Sequence, residues 1–309
     1  MFGFQKYNYD TFNREMVLKD MAAGRTAGGP EPGERAPDFE ARTLEGDKNR
    51  LSDFRGHKNV VLTFGSVTCP MTAGSIRGMN ELYDEYSGDD VQFLFVYVRE
   101  AHPGDEAPAH ELLEHKVRAA ERLRDEEEIE MPILVDDLRG SIHRKYGKLP
   151  NSTYIIDKSG RVAFRALWTR PRVVEDALEA LLERQRDRGV EHAVVNGGED
   201  RSMPMTYPIL YAHRALERGG PKAMADFRRA MGVPGRMALV ASRVAQPLAM
   251  HPGKALAAAA LAGGVIAAGI YAGSKLRQRR FALREPYRVH EFAERRAATG
   301  TDDYEPVGI

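Results

Sequence analysis

One cysteine in 309 residues is the scarcity that constrains this chain most. A single thiol excludes an intrachain disulfide and any four-cysteine zinc site, so thiol redox chemistry has to recruit a second thiol from outside the chain. Charge of one sign is also lacking. Lys plus Arg and Asp plus Glu each number 45, which removes the global basic excess of a nucleic-acid binder, and no nucleic-acid partner is expected. There is no internal repeat. The opening residues Met1-Phe2-Gly3-Phe4-Gln5-Lys6-Tyr7 lack the basic-then-apolar order of a secretory signal. His102, His110 and His115 follow no zinc-type spacing, so neither a metal nor a cofactor is expected.

What is present is a core-forming composition, 42% hydrophobic and 29% charged. The chain is organised around Asn59-Val60-Val61-Leu62-Thr63-Phe64-Gly65, an apolar run of strand length, followed by Ser66-Val67-Thr68-Cys69-Pro70. Proline is tolerated in a helix's first turn, where its missing N–H has no intrahelical partner. Cys69 is therefore predicted at the N-terminus of a helix over Met71–Tyr86, where free N–H groups and the helix dipole favour a thiolate. The bland reading is a buried, inert thiol, the usual state of a free cysteine.

Short apolar alternations in Glu34–Gly56 predict a hairpin ahead of this strand. Val91–Val98 is nearly continuously apolar, as in a central strand buried on both faces, and ends in Arg99-Glu100-Ala101-His102. A charged helix at about Glu111–Asp125, a strand at Pro132–Val135 and a short helix at Leu138–Tyr146 follow. A hairpin turning at Lys158-Ser159-Gly160 and a last helix at about Val173–Gln185 complete the order β-β-β-α-β-α-β-α-β-β-α. In open sheets of this kind the chemistry lies beyond the carboxyl ends of the central strands, where Cys69, Glu100 and His102 all fall. On an extended segment Glu100 and His102 face the same side. The histidine is suited to proton transfer, with the carboxylate holding it protonated.

Glu34–Gly56, the strand–Cys–helix unit and the Ile155-Ile156-Asp157-Lys158-Ser159-Gly160 hairpin resemble the thioredoxin-like redoxin superfamily. Within it, Phe64-Gly65-Ser66-Val67-Thr68-Cys69-Pro70 together with Tyr97-Val98-Arg99-Glu100-Ala101-His102 is similar to the iodothyronine deiodinase branch. The resemblance covers about residues 34–185. It implies an α/β thioredoxin-like fold, a central mixed sheet flanked by helices. It also implies that Cys69 stands where that family has a selenocysteine nucleophile, with Ser66 and Thr68 as the preceding hydroxyls. Tyr97, Glu100 and His102 correspond to the second motif, His115 to a second functional histidine, and Arg170 to a substrate-side arginine. Three departures accompany the likeness. Cysteine replaces selenocysteine, Gly104-Asp105-Glu106-Ala107 replaces a segment ending in tryptophan, and the candidate membrane anchor is C-terminal rather than N-terminal. Thr72 stands where a thioredoxin has its second cysteine, so no internal resolving thiol is available.

The expected organisation is an N-terminal arm (1–33), the redoxin domain (34–187), a linker (188–207), a helical segment (208–250), a transmembrane helix (254–274) and a polar tail (275–309). Ala255–Gly273 carries no charged side chain and is long enough for a hydrocarbon core of about 30 Å. Cations after the span outnumber those before it, which by the positive-inside rule favours a cytoplasmic tail. The missing export signal weighs more, and sets the redoxin domain in the cytoplasm on a single-pass C-terminal anchor. The expected function is a single-cysteine thiol oxidoreductase: Cys69 attacks a small electrophile (halide, peroxide or disulfide) and an external thiol regenerates it. The expected partners are that thiol reductant, a small-molecule substrate and a membrane, with a homodimer compatible. The rival reading is a non-catalytic, membrane-tethered binding or redox-sensing module.

Overall fold

The computed structural model describes residues 7–26, 28–88 and 90–250. Its centre is β3 (Asn59–Gly65), buried at every position, paired in parallel with β4 (Val91–Tyr97) from Asn59↔Val91 to Gly65↔Tyr97. A continuous apolar run is what a strand covered on both faces requires. Successive side chains alternate between two cores. Val61, Phe93 and Phe95 face Ile76, Met79 and Leu82 of α2 (Pro70–Tyr86) and Val174, Leu178 and Leu181 of α5 (Pro171–Arg188). Val60, Leu62, Phe64 and Leu94 face Phe39, Leu51 and Ile142 on the other side.

The sheet order is β5-β4-β3-β6-β7-β8. Here β5 (Ile133–Val135) is parallel to β4, while β6 (Thr153–Ile156) and β7 (Val162–Ala166) form the antiparallel hairpin beside β3. The expected N-terminal hairpin, β1 (Glu40–Arg42) with β2 (Lys48–Arg50), forms a separate two-stranded sheet. With α3 (Leu113–Glu127) and α4 (Ser141–Lys145) this is a mixed sheet flanked by helices, of the thioredoxin-like kind.

The segments outside that core differ from expectation. Residues 1–33, read as a peripheral arm, include α1 (Arg14–Thr26) and insert Tyr7, Phe12 and Met16 as buried side chains. Phe12 and Met16 share an apolar cluster with α6 (Thr206–Glu217) and α7 (Pro221–Met250), the latter interrupted at Gly232. Tyr7 is held by its hydroxyl on His143 Nδ1 (2.8 Å) and by the Arg99 guanidinium, which donates to its carbonyl and lies over its ring. Residues 188–207, expected as a linker, carry β8 (Glu199–Asp200), which lies parallel to β7 because buried Arg165 pairs with Glu199. α6 lies along α2, where Gly74 leaves room for the Tyr207 ring, and its end is clamped by Arg218 on Glu127 (2.5 Å). Residues 7–246 thus fall within one compact unit. Among the described residues no helix is long and apolar enough to cross a membrane; the expected span at 254–274 lies outside them.

Gly65 closes β3 under Thr72. A Cβ there would meet Thr72 Cγ2 and Oγ1 at 2.8 and 2.9 Å and press on the Phe95 ring. Gly65→Ala is expected to lower stability by about 1–3 kcal/mol, the range for overpacking a closed core. Urea unfolding followed by far-UV circular dichroism measures it; an unchanged midpoint refutes it.

Candidate functional site

Cys69 caps the N-terminus of α2 with extended backbone (φ −91°, ψ 115°), and Pro70 is the first helical residue, as its sequence context requires. Its N–H donates to Ser66 O (3.2 Å), and its carbonyl accepts the first helical bond from Ala73 N (3.0 Å). The expectation of a readily formed thiolate does not hold here. Cys69 is 1% exposed, and burial pushes its thiol up to about 11; hydrogen bonds from Thr72 and from Met71 N–H pull it down, but by less. Desolvation works against the charged form more strongly than a helix end favours it.

Both loops that leave the paired ends of β3 and β4 are stitched together by the residues the motifs singled out. Ser66 Oγ accepts from Ala101 N (3.2 Å), and Tyr97 Oη accepts from Val67 N (3.3 Å). The buried Glu100 carboxylate accepts four hydrogen bonds. Thr68 gives two to Oε2, from its N–H (3.1 Å) and its hydroxyl (2.6 Å), while His110 Nε2 (3.1 Å) and the Tyr97 hydroxyl donate to Oε1. A carboxylate only accepts, so Nε2 of His110 carries the proton. Burial alone would raise the Glu100 carboxyl, yet the His110, Thr68 and Tyr97 bonds hold it below its ordinary value. Burial and the Glu100 charge drive the Tyr97 phenol the other way, well above its usual value.

Glu100 therefore does not pair with His102, contrary to the extended-segment expectation. The chain turns after Val98, and Glu100 points into the protein onto His110. His102 reaches this network through its backbone alone, its N–H donating to Thr68 Oγ1 (3.0 Å). The imidazole lies between two rings, Phe12 (centroids 4.2 Å apart) and Phe227 (5.5 Å). Burial pushes it down to about 3, so it is neutral, and its Nδ1 has no hydrogen-bond partner among the described residues.

Cys69 and His102 both line a cavity of about 490 Å³. Its floor includes Pro70, Met71, Pro150 and Trp168; its outer walls come from Phe12 and Val17 of the arm and from α6 and α7. The lining is almost wholly apolar, and Asp20 is its one carboxyl among the described residues. Burial raises that carboxyl to about 6, against a smaller opposing pull from Arg99. Tyr9, whose hydroxyl donates to Ala101 O (2.7 Å), fixes the arm to the same loop.

Two expected residues stand apart. His115 is exposed on α3 and lines a separate surface depression with Lys222. Arg170 caps α5 with its guanidinium on Asp200 (2.8 Å) and is absent from the cavity lining. No group of three His, Cys, Asp or Glu side chains suited to a metal occurs among the described residues. Sequence reasoning missed His110, Asp20 and Phe12. His110 sits in a Pro/Ala loop with no periodicity to mark it as buried. For the arm a signal existed, in the aromatic cluster Tyr7, Tyr9 and Phe12.

The iodothyronine deiodinase family matches residues 14–185, from α1 to α5 and so across both stitched loops. Thyroxine 5-deiodinase of Gallus gallus is 33% identical over 137 residues, 41% of this chain and 52% of that protein. Thiol-disulfide oxidoreductase ResA of Geobacillus thermodenitrificans is 34% identical over 131 residues, 42% of this chain and 66% of that protein. Among solved structures, the exposed lipoprotein thioredoxin Etrx1 of Streptococcus pneumoniae aligns with 46% of this chain and 99% of its own, at TM-score 0.35 and 25% identity. The chain spans about half the length of the curated deiodinases it matches. The family match runs over more than half of the chain and takes in Cys69, Glu100, His102 and His110 together, so this protein belongs to the iodothyronine deiodinase family.

Proposed function

We propose that this protein is a single-cysteine thiol oxidoreductase in which Cys69 attacks an apolar electrophile held in the 490 Å³ cavity. The observation that carries the reading is the placement of the chain's one thiol: at a helix N-terminus, in the wall of an apolar cavity, on a loop pinned by the Thr68–Glu100–His110–Tyr97 network. Sulfur takes the electrophilic atom. A disulfide yields a mixed disulfide and a released thiolate; a peroxide yields a sulfenic acid and an alcohol; an aryl halide yields a sulfenyl halide while the ring carbon takes a proton. In each case two external thiols return Cys69 to the thiol, themselves forming a disulfide. Glu100, Thr68, Tyr97 and Ser66 act as positioning residues, since the Glu100 side chain is fully buried. His102, which lines the same cavity, is the proton-transfer group of this reading.

The apolar surroundings oppose this chemistry as it stands, because burial favours the protonated thiol and the neutral imidazole. Displacement of Phe12 from its place against His102 is what readies the pair, and the arm thereby acts as a gate. The same burial favours the second reading, a binding or sensing module with an inert thiol.

The test is a turnover screen of the full chain with hydrogen peroxide, organic peroxides, disulfides and aryl iodides, dithiothreitol or glutathione serving as reductant. Cys69→Ser is expected to remove at least ~99% of any turnover without altering the circular dichroism spectrum, since a hydroxyl at its ordinary pKa is a poor nucleophile; larger residual activity refutes the assignment. His102→Ala is expected to slow turnover by about 10²-fold or more.

The gate has its own readout in iodoacetamide labelling of Cys69 against pH. Burial disfavours the thiolate, so opening the cavity lowers the thiol pKa and raises the reactive fraction at a given pH. In the wild type the rate is expected to keep rising through pH values near 11. In Phe12→Ala the inflection moves toward about 8.5 and the rate near neutral pH grows about tenfold per unit moved. Identical profiles would remove the arm from the mechanism, and a thiol that reacts in neither protein, with no turnover, would establish the inert reading.

A further inference from the structure

Beyond the break at Gly232, α7 displays Val233, Met237, Val240 and Val244 at 64–68% exposure. Their spacing places them on one helix face, while Leu239 and Ser242 on the opposite face are buried. Single exposed apolar residues are ordinary; a continuous stripe marks an interaction surface. This one runs into the mouth of the Cys69 cavity, where Met237 and the exposed Met205, capping α6, and Ile209 of α6 are lining residues.

Charge identifies the partner. No acidic side chain occurs between Asp226 and Glu285, whereas Arg236 and Arg243 lie exposed beside the stripe. An apolar stripe flanked by arginines fits an anionic phospholipid surface, with each nearby cation contributing about 1 kcal/mol. A second copy fits poorly, because a two-fold interface sets a face against itself and this face has no carboxylates to meet its arginines. The chain that follows points the same way. The uncharged run begins at Ala255, eleven residues after Val244, which is within about 40 Å even when fully extended.

We propose that residues 233–244 of α7 lie flat on an anionic bilayer, the apolar stripe among the acyl chains and Arg236 and Arg243 at the phosphates, so that the cavity mouth opens onto lipid. The surface is independent of the turnover reading, and its test uses no catalysis. In the full chain, Cys69→Ser removes the native thiol and Val240→Cys carries an environment-sensitive nitrobenzoxadiazole probe. Asp53→Cys, exposed in the turn Leu51–Phe54 ahead of the amino end of β3, carries the control probe. On phosphatidylcholine vesicles containing phosphatidylglycerol, the probe at position 240 is expected to shift to the blue. Lipid spin-labelled near the headgroup should quench it more than lipid labelled deep in the chain, and the control probe should stay unmoved. Arg236→Glu with Arg243→Glu is expected to weaken the docked signal by about tenfold or more, at about 1 kcal/mol for each cation lost and 1.4 per decade. Three outcomes overturn the proposal: no binding to the vesicles, a probe at position 240 that stays in water on vesicles the protein has bound, or a blue shift without lipid that grows with protein concentration, which would assign the face to a second copy.

Discussion

The Glu100 carboxylate is the interaction on which the site depends. It is buried, and an ion taken out of water is costly unless every lone pair is answered. Here four donors from three residues answer it, and they come from three places in the chain: Thr68 in the loop after β3, Tyr97 at the end of β4, and His110 before α3. Satisfying one charge therefore sets the separation of two strand-end loops and the approach of a third. A half-satisfied version would be worse than an apolar core, so the four bonds form together or the loop carrying Cys69 is released. The parallel pairing of β3 and β4 up to Gly65↔Tyr97 brings those loop ends level, which is why the network can close.

A second contest, between helix end and burial, sets the state of the sulfur. A helix N-terminus is worth about 0.3–1 kcal/mol to an anion, up to about 2 in favourable sites, or roughly one pKa unit. Full burial moves a group by up to about 3–5 units. The thiol at about 11 is the result expected when the larger effect wins. The state of the thiol then depends on what buries the cysteine as much as on where the helix begins, and Cys69 is clustered with Met71, Ala101, Leu149, Leu167 and Trp168, with Met203 and Tyr207 packed against them.

That division explains what could be read from the sequence. The central strands announce themselves by unbroken apolar runs, and Cys69-Pro70 by the only place a helix accepts proline freely, so the sheet and the helix beneath the thiol were legible. Glu100 was legible from its place after a strand that must pair with β3, whereas Ser66, Thr68 and Tyr97 were legible only as what the resemblance to the deiodinase branch implies. Their roles were not. Assigning Glu100 to His102 assumed that the chain stays extended past Val98, whereas it turns and the carboxylate finds His110 ten residues on. Side-chain burial in a loop leaves no periodicity to detect. The arm and β8 were hidden for a related reason: Phe12 and Glu199 gain their partners from residues about 90 positions or more and 34 positions away, and composition alone reads such segments as periphery.

The cavity joins two kinds of structure. Its floor, with Cys69, His102 and Pro150, lies within residues 14–185 that match the deiodinase family; much of its outer wall, including Met203, Met205, Ile209, Phe227 and Met231, lies beyond that match. The shared part therefore speaks for thiol chemistry, and under the proposed function the selection of what reaches the thiol would rest on α6 and α7. Methionines make those walls adaptable, since an unbranched thioether side chain repacks around ligands of irregular shape. Under the proposed function, Asp20 is then the carboxyl against which an otherwise apolar molecule is oriented, since Nδ1 of His102 is itself buried. A ligand that leaves it unmet forfeits more than one that merely fits loosely, because buried polar groups without partners cost more than small gaps in packing. Under the proposed function, orientation thus follows from one carboxyl in an apolar cavity, and size selection from the helices that line it.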